Sequence, residues 1–102
     1  MCGIVGFVNF KQDISKFSNI LTNMNNSLSK RGPDEQGSYL RKQVALAHKR
    51  LIVIDPAGGK QPMIENVNGN EYTIVYNGQI YNTTELRKTL EENGFAFNGH
   101  CD

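Results

Sequence analysis

The apolar residues of this chain come in runs no longer than four, such as Leu51-Ile52-Val53-Ile54, and Gly, Pro and Asn clusters stand between them. Arg31-Gly32-Pro33-Asp34, Pro56-Ala57-Gly58-Gly59 and Asn68-Gly69-Asn70 are the clearest of these breaks. Spanning a bilayer takes about 20 consecutive apolar residues, so no membrane segment is expected. Short apolar segments separated by turn residues instead predict several strands in succession, paired as an antiparallel sheet.

The segment Ile4–Phe10 reads as a buried strand that ties down the start of the chain. From Asp13, the residues Ile14, Phe17, Leu21, Met24 and Leu28 recur at spacings of three and four, which predicts one face of a helix over 14–29. The Gly-Pro pair at 32–33 stops it, because the residue before proline is driven out of the α region. Strands are expected at 38–41, 44–48, 51–54 and 72–76. Asn82 with Glu85 three residues on, then Leu86, Leu90 and Gly94, predicts a capped helix over 83–93. Phe95–Asn98 reads as a last strand. The order strand, helix, strands, helix, strand is an α+β arrangement with helices on one side of a sheet. Strands apolar on both faces, such as Leu51–Ile54 and Ile74–Tyr76, ask for a second layer that 102 residues do not obviously supply. The chain is therefore expected to be one part of a larger domain.

Charge narrows the partners. Eleven Lys and Arg against ten Asp and Glu leave a net charge of +1. Residues 1–50 carry +5 and 51–102 carry −4, but the positive residues are not interleaved with stacking aromatics, so a solvated face is favoured over a nucleic-acid surface. No basic segment leads into an apolar stretch at the start, and Cys2 and Cys101 match neither a zinc spacing nor a disulfide framework. A cytoplasmic setting is expected, with no metal bound.

Cys2 is the sharpest chemical candidate. Loss of Met1 would leave one residue carrying both a thiol and a free α-amine, with ordinary pKa values of about 8.5 and about 7.7–8.0, a nucleophile beside its own base. The competing reading is a buried structural cysteine. Asn77-Gly78 could offer an amide and a backbone N–H to an oxyanion. However, Asn-Gly occurs four times in this Asn- and Gly-rich chain, and on the dipeptide alone a type I′ turn is the better reading. Arg50 could grip a carboxylate and Asp102 an ammonium, although each alone is more often a surface charge. Arg31 and Asp34 flank the Gly-Pro turn and read as a structural pair, and His48 reads as a hydrogen-bonded residue of a strand.

Taken together, five blocks in order are more specific: Met1-Cys2-Gly3-Ile4-Val5-Gly6-Phe7, Arg31-Gly32-Pro33-Asp34, Ala47-His48-Lys49-Arg50-Leu51, Tyr76-Asn77-Gly78-Gln79-Ile80-Tyr81-Asn82 and Gly99-His100-Cys101-Asp102. Over the whole chain they resemble the glutaminase domain of glutamine-hydrolysing asparagine synthetases. These belong to the class II glutamine amidotransferases, which are N-terminal-nucleophile hydrolases. The resemblance implies Cys2 as nucleophile with its α-amine as base, and Asn77 and Gly78 as the oxyanion hole. It implies Arg50, backbone groups near Val53, Gln79 and Asp102 as the cradle for L-glutamine, with Arg31 in support. Gln79 stands where many relatives carry Glu.

The implied reaction is hydrolysis of glutamine through a Cys2 thioester, with the ammonia passed to an ATP-dependent synthetase that converts aspartate to asparagine. Alternatives are a related amidotransferase with another acceptor, or a fragment that binds without turnover. The implied fold is a four-layer α-β-β-α sandwich of which residues 1–102 would be the N-terminal part. The remainder of that domain and the synthetase domain, where ATP and Mg are expected, would be partners beyond these residues. A homodimer is also consistent with the family. Full activity is not expected of 102 residues that retain Met1.

Overall fold

A computed structural model describes residues 2–52 and 59–97. Seven elements follow one another: β1 (Gly3–Val8), α1 (Ser18–Asn26), β2 (Glu35–Leu40), β3 (Val44–Arg50), β4 (Met63–Val67), β5 (Asn70–Ile74) and α2 (Thr83–Glu92). They form an α+β structure with two antiparallel sheets, a three-stranded one in the order β1-β3-β2 and a β4-β5 hairpin.

β3 is the centre of the larger sheet and is paired over six of its seven residues on each edge. Its Ala45 and Ala47 are fully buried and meet Ile14 and Leu21, with Val5, Phe7, Phe17 and Leu40 packed around them. Two alanines on the central strand leave the space that α1 fills, so the apolar face of the helix closes against small side chains. At the other end of this layer Leu28 lies against Gly3, where an added Cβ would come within 2.9 Å of Leu28 Cδ1.

The helix over 14–29 is shorter than its periodicity predicts. Asp13 accepts hydrogen bonds from the Ser15 amide (2.9 Å) and hydroxyl, which favours a turn at 13–17 over helix, and α1 starts at Ser18. Ile14 still reaches the core from that turn. At the far end the Ser27 and Ser29 hydroxyls bond back to the Met24 and Asn26 carbonyls, and the chain continues as turns to Arg31.

The second sheet also differs from expectation. The strand expected at 72–76 is Asn70–Ile74, and its partner β4, interrupted by Glu65 and Asn66, has no counterpart in the predicted strands. Asn68 (φ 51°) and Gly69 (φ 82°) make the tight turn between them, with both central residues in the left-handed region, as a type I′ hairpin requires. α2 matches its predicted span to within a residue, begins at Thr83 after Asn82 and ends before Gly94 (φ 89°). The Asn82 side chain makes no capping bond; Thr83 Oγ1 bonds back to the Ile80 carbonyl instead. α2 has no buried residue, so only α1 covers the larger sheet in the way expected of both helices. Phe95–Phe97 is not a strand, Leu51 and Ile52 have left β3, and the rest of the two strands expected there lies outside the described residues. No helix among the described residues is long and apolar enough to cross a membrane.

Candidate active site

The antiparallel registers bring one end of each strand of the larger sheet together. Gly3 faces Lys49, and Glu35 faces Arg50, so Cys2, Arg50 and Glu35 occupy the same sheet end across β1, β3 and β2. Cys2 is a half-buried free thiol, and its S–H points to the Leu51 carbonyl at 3.8 Å, one residue beyond Arg50.

Arg50 is only 4% exposed, and its Nη1 donates to Glu35 Oε2 at 2.8 Å. A buried guanidinium without a counter-charge would be strongly unfavourable, and Glu35 provides one. Lys49, next to it, is also buried and donates to the Gln36 side chain.

The Gly-Pro loop is built onto this end. An added Cβ on Gly32 would come within 2.2 Å of the Lys49 carbonyl carbon and 2.5 Å of the Arg50 nitrogen, so only glycine lets the loop lie flat on the strand. Pro33 bridges Arg50 in parallel, and the Asp34 N–H donates to the Arg50 carbonyl at 2.9 Å. Asp34 Oδ2 accepts the Ile52 N–H at 2.7 Å. The pairing of Arg31 with Asp34 expected from sequence is not formed: Asp34 clamps the backbone after Arg50, and Arg31 is exposed.

His48 connects a third segment. It is 1% exposed, pairs with Ile4 in register, and its Nε2 donates to the Tyr76 carbonyl at 3.3 Å, the hydrogen-bonded structural role expected of it. Burial holds its pKa below the ordinary 6.5, the Tyr76 carbonyl opposes that shift, and the Arg50 charge adds to it. The same Tyr76 carbonyl accepts Gln61 Nε2 at 3.1 Å, while the Tyr76 N–H donates to Gln61 Oε1 at 2.6 Å. Gln61 in turn rests on β2, where the Gln61 carbonyl oxygen would be 2.1 Å from a Cβ on Gly37.

Asn77 and Gly78 follow this held peptide. Neither has positive φ, so the type I′ turn favoured on the dipeptide alone is absent here and found instead at Asn68-Gly69. Asn77 is half-buried, whereas Gly78 and Gln79 are exposed. Val53 and Asp102 lie outside the described residues. The described structure thus gathers Cys2, Arg50 and the approach to Asn77 around the end of β3, and leaves Arg31 and Gln79 at the surface. A cavity of about 220 Å³ between α1 and β2 is lined by Leu21, Thr22, Asn25, Asn26, Gln36, Gly37 and Ser38, away from Cys2.

Glu35 and Gln61 are not among the residues singled out from sequence. The three-residue turn after Leu40 carries a signal for Glu35, because counting back from Arg50 through it pairs the two. A glutamine whose amide partners a backbone peptide in a distant segment leaves no such signal. No group of acidic, His or Cys side chains suited to a metal occurs among the described residues.

A family model described as a glutamine amidotransferase domain matches residues 1–102. Asparagine synthetase (glutamine-hydrolyzing) 3 of Bacillus subtilis (strain 168) is 44% identical over 102 residues, covering 100% of this chain and 17% of the relative. Asparagine synthetase (glutamine-hydrolyzing) 1 of the same organism is 36% identical over 105 residues, covering 100% and 16%. Asparagine synthetase (glutamine-hydrolyzing) 1 of Arabidopsis thaliana is 36% identical over 102 residues, covering 100% and 17%. The chain spans 17% or less of the length of these relatives.

Proposed function

The chain belongs to the glutamine amidotransferase domain family, and from that membership we propose that it hydrolyses glutamine on Cys2 and supplies the ammonia to an asparagine-forming synthetase. The observation that carries the reading is the gathering of the Cys2 thiol, buried Arg50 and the segment leading to Asn77 at one end of the three-stranded sheet. The names of the relatives support the acceptor, since each is a glutamine-hydrolysing asparagine synthetase.

In this mechanism Met1 is removed and the α-amine of Cys2 takes the thiol proton. The sulfur attacks the side-chain amide carbon of glutamine, and the carbonyl becomes an oxyanion stabilised by the Asn77 amide and the Gly78 N–H. Each such donor lowers the barrier by about 3–4 kcal/mol. The carbon–nitrogen bond then breaks, the ammonium proton passes to the leaving nitrogen, and ammonia departs. Water attacks the resulting thioester, restoring the thiol and releasing glutamate. The Arg50 guanidinium, oriented by its ion pair with Glu35, binds the α-carboxylate of glutamine. Asp102 receives the α-ammonium, backbone groups near Val53 and the Gln79 side chain complete the cradle, and Arg31 supports the loop beside the nucleophile.

Residues 1–102 are then the N-terminal part of a four-layer α-β-β-α domain. The exposed apolar side chains of β4, β5 and α2, among them Ile64, Tyr72, Ile74, Leu86 and Leu90, support that reading as faces for further layers. ATP and Mg belong to the synthetase domain in this scheme. The test is Cys2→Ala in the full-length protein, with ammonia release from glutamine as the readout. Hydrolysis is expected to be abolished while synthesis from added ammonia persists; release at the wild-type rate refutes the reading.

A further inference from the structure

We propose that Gln61 is a positioning residue for glutamine hydrolysis, its carboxamide clamping the peptide of Tyr76 so that Asn77 and Gly78 are held ready for the oxyanion; this rests on the function proposed above. β5 ends at Ile74, so Tyr76 has lost its strand neighbour. Gln61 replaces it with a side chain: Oε1 accepts the Tyr76 N–H at 2.6 Å and Nε2 donates to the Tyr76 carbonyl at 3.1 Å. Exchanging both bonds with one residue is what a neighbouring strand does in an antiparallel pair. The carbonyl is further tied to β3 by His48 Nε2 at 3.3 Å.

The clamp is itself anchored, because the Gln61 backbone packs on Gly37 of β2 closely enough to exclude any Cβ there. The peptide one residue ahead of Asn77 is therefore fixed to both β2 and β3, the strands that carry Glu35 and Arg50. Oxyanion donors act on charge that develops only as the amide is attacked. Loosening their support should lower kcat and leave KM in place.

The test compares Gln61→Met and Gln61→Glu with wild type in the full-length protein, measuring glutamine-dependent ammonia release. Gln61→Met keeps the length and removes both bonds; a misplacement of this kind is expected to lower kcat by roughly 10- to 100-fold with KM unchanged. In Gln61→Glu the introduced carboxylate can still accept the Tyr76 N–H but opposes the Tyr76 carbonyl with no donor, and protonation restores one. Its kcat relative to wild type should therefore rise as pH falls through the range where that carboxyl protonates, a recovery that a purely structural role would not produce. Wild-type kcat in Gln61→Met, or no recovery of Gln61→Glu at low pH, overturns the clamp. A dead Cys2→Ala beside a fully active Gln61→Met removes the clamp alone, whereas a fully active Cys2→Ala removes the underlying function.

Discussion

β3 and β4 are similar in length and both pair antiparallel, yet four consecutive residues of β3, from Ala47 to Arg50, are buried and no residue of β4 is. β3 has a strand on each edge, α1 on one face, and loops pressed against its end. β4 has one partner and exposes Met63, Ile64 and Val67, at 43–50% of their surface. A lone two-stranded hairpin is marginal in water, and so is a ten-residue helix such as α2. Fixed geometry is thus concentrated where Cys2, Arg50 and His48 lie. Reactive groups need supports that do not move, and a central strand is the best supported place in a sheet.

Two glycines offer the strongest way to break that comparison. Gly32→Ala places a methyl group into the Lys49–Arg50 backbone, which cannot yield as a side chain could. A loss of about 3 kcal/mol of stability is expected, the upper end of the usual overpacking range, with KM for glutamine raised through the displaced Arg50. Gly69→Ala meets nothing within 4 Å and suffers only its positive φ. About 1 kcal/mol is expected, with glutamine kinetics unchanged. Urea unfolding and steady-state kinetics on both variants measure this, and equal losses would erase the distinction between the two sheets.

Next in size is Glu35→Gln, which removes the carboxylate paired with the buried Arg50 guanidinium. Removing one member of a fully buried pair costs about 3–5 kcal/mol. The Glu35 side chain is 29% exposed, so a smaller loss of about 1–2 kcal/mol is expected, read as a shifted urea midpoint at constant slope. A smaller effect follows from His48. Its pKa in the folded protein lies below the ordinary 6.5, so the unfolded chain binds the proton more readily. This contribution to stability is fully present above pH 6.5 and is lost as pH falls through the lowered value. Unfolding free energy measured across this range should fall with acid, and His48→Asn should remove that part of the slope.

The two regions also differ in how far the sequence disclosed them. The spacing of Ile14, Leu21 and their neighbours located the helix that covers β3, and the signals flanking α2 matched its span although the Asn82 capping bond is not formed, because local periodicity and the Gly94 turn bound each segment. β4 escaped notice since Met63–Val67 carries Glu65 and Asn66 and no alternation with a buried face, as befits a strand exposed along its length. The five sequence blocks name Cys2, Arg50 and Asn77, and the folded chain brings Cys2, Arg50 and the segment before Asn77 to one end of the larger sheet. Glu35 and Gln61 act through partners 15 residues away, a separation that only the folded registers close. The Arg31–Asp34 pair was a misreading of proximity in sequence; Asp34 is used on the Ile52 amide instead.

The smallest expected effect concerns the link between the two sheets. Tyr39 donates its hydroxyl to Glu71, Arg41 pairs with the same carboxylate at 3.2 Å, and the Arg41 guanidinium stacks 4.2 Å from the Tyr39 ring centre. The Tyr39 hydroxyl, with Arg41 adding to it, holds the Glu71 pKa below the ordinary 4.5 against a small opposing cost of burial. The link therefore stabilises the fold above that pH and weakens as acid protonates Glu71. Arg41 and Glu71 are 52% and 34% exposed, so water and salt screen most of their attraction. Glu71→Gln should lower the melting temperature only slightly at low salt, with the difference from wild type vanishing at high salt. Because Tyr39 and Arg41 lie at the opposite end of β2 from Glu35, glutamine kinetics should not change. A marked loss of kcat in Glu71→Gln would mean that the orientation of the hairpin, and not the buried end of β3 alone, sets the geometry of Asn77.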